Sequence, residues 1–353
     1  MNRSVDPRIR IRLERGINRL WYGARWRSWP LWPLSALFCA IVVVRRWRLV
    51  RVQRKKKPSP VPVVVVGNIT TGGTGKTPLV VAIVRHLRQA GYSPGVITRG
   101  YGGRSPAWPQ RVVPDSDPRW VGDEPVMLAR SCACPVVAGP DRMADLGLLV
   151  SSERCDVVVS DDGLQHYRLP RDVEIAVLDG ERGLGNRLCL PAGPLREPSG
   201  RLRQVDFVVI NGGGDDAGVP MQLAAAMPVN LTSGEQRPLS AFADAQVHAI
   251  AGIGNPERFF TTLKRAGLQI LEHPFPDHYD YHPHNLDFGD DRALIMTEKD
   301  AVKCAGIAPA NAWYLPVEAV LPDSFFDSLV RRIQSRRRTG RSVVPAEAEV
   351  KDG

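Results

Sequence analysis

The sequence predicts an α/β fold, a doubly wound parallel sheet joined to a second, smaller α/β domain and preceded by a helical N-terminal segment. Three observations carry this expectation. Short apolar runs recur between helix-like stretches from residue 58 to about 211, and most are too continuously apolar for a half-exposed sheet. The first of them, VPVVVVGNITTGGTGKT at 61–77, breaks into a glycine-rich turn ending in Gly75-Lys76-Thr77 at a helix start. The alternation of strand and helix then resumes on a smaller scale after Ala245.

The N-terminal segment is set apart by charge. Residues 1–57 hold 16 Lys and Arg against 2 Asp and Glu, so the rest of the 353-residue chain is mildly acidic although the whole carries +10. Within it, WPLWPLSALFCAIVVV at 29–44 is uncharged and bracketed by arginines. It is too short for a spanning helix of about 20 residues and does not read as a cleaved leader. Ile9, Leu13, Ile17, Leu20 and Trp21 fall on one helical face among arginines. Basic and aromatic flanks around an apolar run suit a helix lying in an anionic membrane surface, a monotopic anchor. A nucleic-acid-binding arm and a helical pair packed on the domain are the alternatives, and the apolar 16-mer argues against the arm.

Strands are expected at 61–66, 95–98, 135–138, 156–160, 174–178 and 206–210, and in the second block at 247–253, 268–272 and 293–297, with a helix at 256–266. The boundaries that follow are 1–57 for the membrane-associated segment, 58–244 for the first domain with its linker, 245–330 for the smaller domain and 331–353 for a mobile tail. Six cysteines show no paired metal spacing and read as reduced thiols.

Chemistry gathers where the strands end, because ligands bind at the carboxyl edge of open α/β sheets. A turn over Thr70, Thr71, Gly72, Gly73, Thr74 and Gly75 offers backbone N–H groups to phosphate, Lys76 adds positive charge, and the Thr77 hydroxyl can ligate magnesium. A strict phosphate loop has glycine where this chain has Thr70. Asp161 and Asp162 follow a buried strand, where they serve either a metal or an Asp-Asp-Gly turn, with Gln165 and His166 just beyond. Asp123 and Glu124 precede a helix, as an N-cap or as a proton-accepting and metal-steadying pair. FPDHYDYH at 275–282 is an aromatic, histidine-dense loop. RGYGGR at 99–104 can bind an anion, and PAGPLREP at 191–198 is a rigid turn.

Together GNIT leading into GGTGKT, TRGYGG at 98–103, VGDEP at 121–125, DDGLQH at 161–166, LPAGPLREP at 190–198, FPDHYDY at 275–281 and TEKDAVK at 297–303 resemble the tetraacyldisaccharide 4'-kinase family of lipid A biosynthesis. The resemblance runs from about residue 15 to 329, and Thr70 is normal within it. It implies a P-loop NTPase-like fold with ATP as co-substrate and Mg2+ as cofactor. The implied reaction phosphorylates the 4'-hydroxyl of tetraacyldisaccharide 1-phosphate to lipid IVA. By resemblance, Lys76 and Thr77 bind ATP phosphates and magnesium, Asp123 is the catalytic base, and His278 pairs with it. Glu124, Asp161 and Asp162 correspond to metal-associated acids, and Gln165 and His166 to the nucleotide–metal pocket. Arg99, Tyr101, Arg142, Arg196 and Glu197 correspond to weaker contacts with substrate or phosphate. The implied partners are the acylated disaccharide lipid and the inner-membrane surface, at the cytoplasmic face and without nucleic acid. A membrane-associated P-loop ATPase or GTPase and a nucleotide sensor without turnover are the rivals; the former gives no reason for the lipid-facing N-terminus or the FPDHYDY loop.

Overall fold

The structure, a computed structural model, describes residues 16–53, 55, 59–213, 218–277 and 279–340. Two sheets organise these residues. The larger contains β1 (Val63–Gly67), β2 (Pro94–Thr98), β3 (Gln110–Val112), β4 (Val136–Ala138), β5 (Val157–Ser160), β6 (Val173–Asp179), β7 (Phe207–Asn211), β8 (Val219–Ala225) and β14 (Val317–Val320). Their order is β14-β8-β7-β6-β1-β5-β2-β4-β3, parallel except for the outermost pair at each edge. The smaller contains β9 (Val229–Asn230), β10 (Gln246–Ala251), β11 (Gln269–Pro274), β12 (Leu294–Thr297) and β13 (Ala312–Leu315), ordered β11-β10-β12-β13-β9.

The valine run of β1 explains its central place. Val64 and Val66 feed the core on one face of the large sheet, Val63 and Val65 the core on the other, and all four are fully buried. A strand covered on both faces has no use for polar alternation. Among the described residues a helical stretch at 16–21 is followed by eight α-helices: α1 (Trp32–Gln53), α2 (Lys76–Gln89), α3 (Pro118–Val121), α4 (Asp123–Cys132), α5 (Arg142–Ser152), α6 (Pro256–Arg265), α7 (Glu298–Cys304) and α8 (Asp323–Gly340). In α2, Leu79, Val80, Ile83, Val84 and Leu87 are buried along one face, the spacing that docks a helix on a sheet.

The ten strands and helices expected by position are present within a few residues. The linker and the C-terminus differ from expectation. β8 extends the large sheet and β9 the small one, so the connecting segment belongs to both. After β13 the chain returns: β14 pairs with β8, and α8 packs on the large sheet through Phe325, Phe326, Leu329 and Ile333. Phe326 stacks on His86 of α2 and Phe325 meets Phe207 edge-on. The first domain is therefore discontinuous, and residues 331–340, expected to begin a mobile tail, continue a helix anchored by Ile333. Residues 341–353 lie outside the described residues.

The N-terminal segment packs on the domain along one side, as the helical-pair alternative expected, and leaves apolar side chains exposed on the other. Ser35 donates to the Cys189 carbonyl (2.7 Å), Trp21 Nε1 to the Pro191 carbonyl (3.0 Å), and Phe38 and Cys39 pack against the core. The outer side of α1 is uncovered: Leu34, Leu37, Ile41, Val44 and Trp47 are exposed, as are Trp26 and Trp29 before it. By length and composition, Arg25–Gln53 is long and apolar enough to cross a membrane, its most apolar 18 residues having a mean hydropathy of 1.5. Of the helical face expected ahead of it, Ile9 and Leu13 fall outside the described residues.

Candidate active site

The glycine-rich turn joins β1 to α2 at the carboxyl edge of the large sheet. Its first half is stitched to the PAGPLREP turn: Arg196 N–H donates to the Ile69 carbonyl (2.7 Å), Thr71 N–H to the Pro194 carbonyl (2.9 Å), and Thr70 bridges Leu195. Buried Thr70 sits in this extended bridge rather than at a positive φ, which is why glycine is not required there. Gly75 does need its missing side chain, because its φ is +86° and a Cβ would stand 2.5 Å from Asn211 Nδ2. No side chain caps α2, so its first turn faces the loop as an anion-binding terminus.

Lys76 Nζ lies 3.5 Å from Asp162 Oδ1, and Arg196 Nη1 lies 3.5 Å from Asp162 Oδ2. Burial pushes the Asp162 carboxyl up, but Lys76 and Arg196 outweigh it and hold the acid below the usual range. Its neighbour behaves oppositely. Asp161 is 2% exposed, and burial, followed by the charge of Glu124, pushes it up to about 7 despite Lys76. Two adjacent acids with divergent environments mark a functional edge.

Asp123 and Glu124 open α4 after Gly122, whose φ is +96° and whose Cβ would strike the Tyr101 carbonyl at 2.5 Å. That close approach packs the RGYGG turn against the acidic one. Asp123 is 6% exposed and its Oδ1 accepts from the Glu124 N–H, so it occupies the first helical turn and Gly122 takes the N-cap position. Across the cleft, Lys299 of α7 binds Glu124 Oε1 (3.1 Å) and Asp277 Oδ1 (3.2 Å). The FPDHYDY loop thereby meets the acidic pair of the first domain. His278 lies outside the described residues.

A divalent cation fits this edge. Asp161 Oδ1, Thr74 Oγ1 and Ser160 Oγ are buried without a hydrogen-bond partner. Such oxygens suit magnesium, which takes one or two carboxylates together with phosphate oxygens and water. Among the described residues no three His, Cys, Asp or Glu side chains form a metal-holding group.

Other expected residues have supporting positions. Arg142 is 2% exposed and donates to the Gly139 and Asp161 carbonyls and to Asp145, steadying the turn that carries Asp161. Glu197 is 1% exposed and accepts from Gln165 Nε2 (2.8 Å) and the Tyr167 hydroxyl, with Arg201 beside it. Both side chains are engaged with protein groups. Gln165 Nε2 also donates to the Asn68 carbonyl (2.9 Å), linking DDGLQH to the glycine-rich turn. Burial, then Arg142 and Arg99, push His166 down to about 4, so its imidazole is neutral near pH 7. Arg99 and Tyr101 remain exposed at the end of β2.

Three residues given no role by the sequence reading stand at the site. Lys299 sits inside TEKDAVK, a run whose spacing points to no chemistry of its own. Asn211 ends β7 and donates to the Thr74 carbonyl, a place the strand-end rule could have flagged. Arg258 carries no local sequence signal.

The sequence profile described as Tetraacyldisaccharide-1-P 4'-kinase matches residues 27–334. A protein of Alkalilimnicola ehrlichii named Tetraacyldisaccharide 4'-kinase is 55% identical over 304 residues, covering 83% of this chain and 89% of the relative. One of the same name from Nitrosococcus oceani is 50% identical over 321 residues, covering 90% and 94%. The crystal structure of an "apo" form of LpxK from Aquifex aeolicus in complex with ATP matches with a TM-score of 0.73 at 28% identity, covering 87% of this chain and 99% of that one.

Proposed function

The chain belongs to the tetraacyldisaccharide-1-P 4'-kinase family, and from that premise we propose that it transfers the γ-phosphoryl group of ATP to the 4'-hydroxyl of a tetraacyldisaccharide 1-phosphate. The observation that carries the proposal is the meeting of Lys76, Asp161 and Asp162 at one sheet edge with Asp123 and Glu124, which Lys299 ties to Asp277. A nucleotide sensor needs the first group only.

In the proposed reaction the 4'-oxygen attacks the γ-phosphorus in line, the bond to the β-phosphate oxygen breaks, and ADP leaves. Asp123 accepts the hydroxyl proton, a role served by its place beside the basic Lys299 and at a helix N-terminus, both of which favour a carboxylate. Lys76 and the uncapped start of α2 offset charge on the transferring group. Asp161, Asp162, Glu124 and Thr77 would hold Mg2+, which supplies charge neutralisation to the phosphates. His278 is proposed to tune Asp123 from the FPDHYDY loop.

The exposed apolar strip of α1, flanked by arginines and tryptophans, supports a monotopic position at the cytoplasmic face of the inner membrane, where an acylated acceptor is presented. Because Ser35 of α1 and Trp21 ahead of it are fastened to Cys189 and Pro191, and that turn frames the glycine-rich loop, anchor and donor site share one support. The test is incubation of the full chain with radiolabelled ATP and the disaccharide lipid in mixed micelles. Label in the lipid supports the kinase; label only in inorganic phosphate supports an ATPase, and binding without release supports a sensor.

A further inference from the structure

We infer that Arg258 is a positioning residue that acts through Asn211 on the phosphate loop, coupling docking of the second domain to ATP affinity. This rests on the donor-site reading above. Asn211 is fully buried at the end of β7; its Nδ2 donates to the Thr74 carbonyl (3.0 Å) while its Oδ1 accepts from Arg258 Nη2 (2.9 Å). A carboxamide can present either end to a neighbour. A guanidinium has donors only, so Arg258 can face only Oδ1, and that choice commits Nδ2 to Thr74. With the amide turned over, two oxygens would oppose one another inside the loop and the Thr74 carbonyl would lose its partner, at a cost typical of a buried unsatisfied group.

The guanidinium is itself held. Its Nη1 stands 3.8 Å from Asp179 Oδ2 at the end of neighbouring β6, and Asp179 Oδ1 accepts the N–H groups of Glu181 and Arg182. Arg258, carried on α6, therefore straddles the ends of two strands of the other domain. Its path is kept open by Gly212, where a Cβ would lie 2.7 Å from Nη2. Ahead of α6, a Cβ at Gly254 would lie 3.7 Å from the Gly73 amide nitrogen, so the second domain also approaches the loop directly. Lys299 serves the acidic side of the cleft, and Arg258 serves the phosphate side.

The test measures kcat and the KM for ATP separately, together with the Kd of a fluorescent ATP analogue, on the full chain. Arg258→Ala is expected to raise KM and Kd about tenfold, the scale of one charge-assisted hydrogen bond, with kcat at saturating ATP changing by less than about threefold. Arg258→Lys keeps a donor for Oδ1 and recovers most of the affinity. Asn211→Asp, which sets an oxygen against Thr74, weakens binding at least as much as Arg258→Ala. Unchanged KM and Kd in Arg258→Ala, or a loss confined to kcat, overturns the inference, as does a lysine variant no better than alanine. If the Asn211→Asp variant does not fold, the two changes at the half-buried Arg258 still decide. A wild-type chain that binds no analogue overturns the donor-site reading and the relay with it, whereas binding that is indifferent to Arg258 overturns the relay alone.

Discussion

Lys299 Nζ of α7 stands 3.1 Å from Glu124 Oε1 at the start of α4, and by the same ammonium reaches Asp277 at 3.2 Å. One lysine thus joins the smaller sheet to the acidic turn of the larger. Burial pulls its pKa down, but Glu124, Asp123 and Asp277 together outweigh that and hold it above the ordinary lysine value. It is therefore charged at neutral pH.

Replacing Lys299 by Met removes that charge while keeping the length of the side chain. The acids lose the group that offsets their repulsion, so kcat is expected to fall by at least about tenfold. Stability should change by about 1–3 kcal/mol, since a charged hydrogen-bond partner is lost from a largely buried site. Steady-state kinetics beside a denaturant titration separates the two effects. Full activity in the Met variant would show that the bridge is only structural.

Asp123→Asn preserves shape and removes the proton acceptor. Turnover should drop by about 10²–10⁴, the usual reach of general base catalysis, with ATP-analogue affinity within about threefold of wild type. A variant that turns over normally would remove Asp123 from the mechanism.

Much of this edge was legible in the sequence because a phosphate loop is built from local spacing: valines, glycines, Lys76 and Thr77 are contiguous and name their own secondary structure. Buried parallel strands were equally readable, as in the Val63–Gly67 run. What escaped depends on contacts between distant segments. Arg258 meets Asn211 across 47 residues and Lys299 meets Glu124 across 175. Nor could a short strand such as β14 be assigned to the large sheet before its partner β8 was known. The same limit hid the buried hydrogen-bond partners of Arg142 and Glu197.

Asp161 gives a pH signature. Its folded-state carboxyl is raised to about 7 by burial and by Glu124, above an unfolded value near 4. The folded chain therefore binds more protons than the unfolded chain between about pH 4 and 7, and this contribution to stability is present below pH 4 and lost as pH rises through 7. Asp161→Asn has no such carboxylate to bury. Compared with wild type at pH 8, it should be more stable by an amount on the order of 2–4 kcal/mol, and the difference should close near pH 4. His166 is common to both chains and cancels. Thermal unfolding across pH 4 to 8 checks this; a difference independent of pH would mean that Asp161 is not buried as a strained acid. The same variant should lose most of its Mg2+-dependent ATP affinity.

The exposed side of α1 can be separated from its packed side by substitution. Leu37 and Ile41 are each 57% exposed and one helical turn apart, while Phe38 packs against the core cluster that includes Leu164 and Leu195. If the outer strip enters a lipid surface, Leu37→Asp with Ile41→Asp removes about 1.5–3 kcal/mol of apolar transfer at each position and adds repulsion from anionic headgroups. Cosedimentation with vesicles of phosphatidylethanolamine and phosphatidylglycerol should fall by more than about tenfold, with the affinity for an ATP analogue and the melting temperature nearly unchanged, because neither side chain supports the core. Phe38→Ala should do the reverse, costing about 3–5 kcal/mol if its ring is as tightly packed as an interior phenylalanine and less if the partly covered site relaxes. Equal vesicle binding by the double aspartate variant would mean that the membrane contact lies elsewhere on the chain. Transfer to a short-chain, water-soluble acceptor should survive the double change, since the strip then serves to reach the lipid rather than to perform the chemistry.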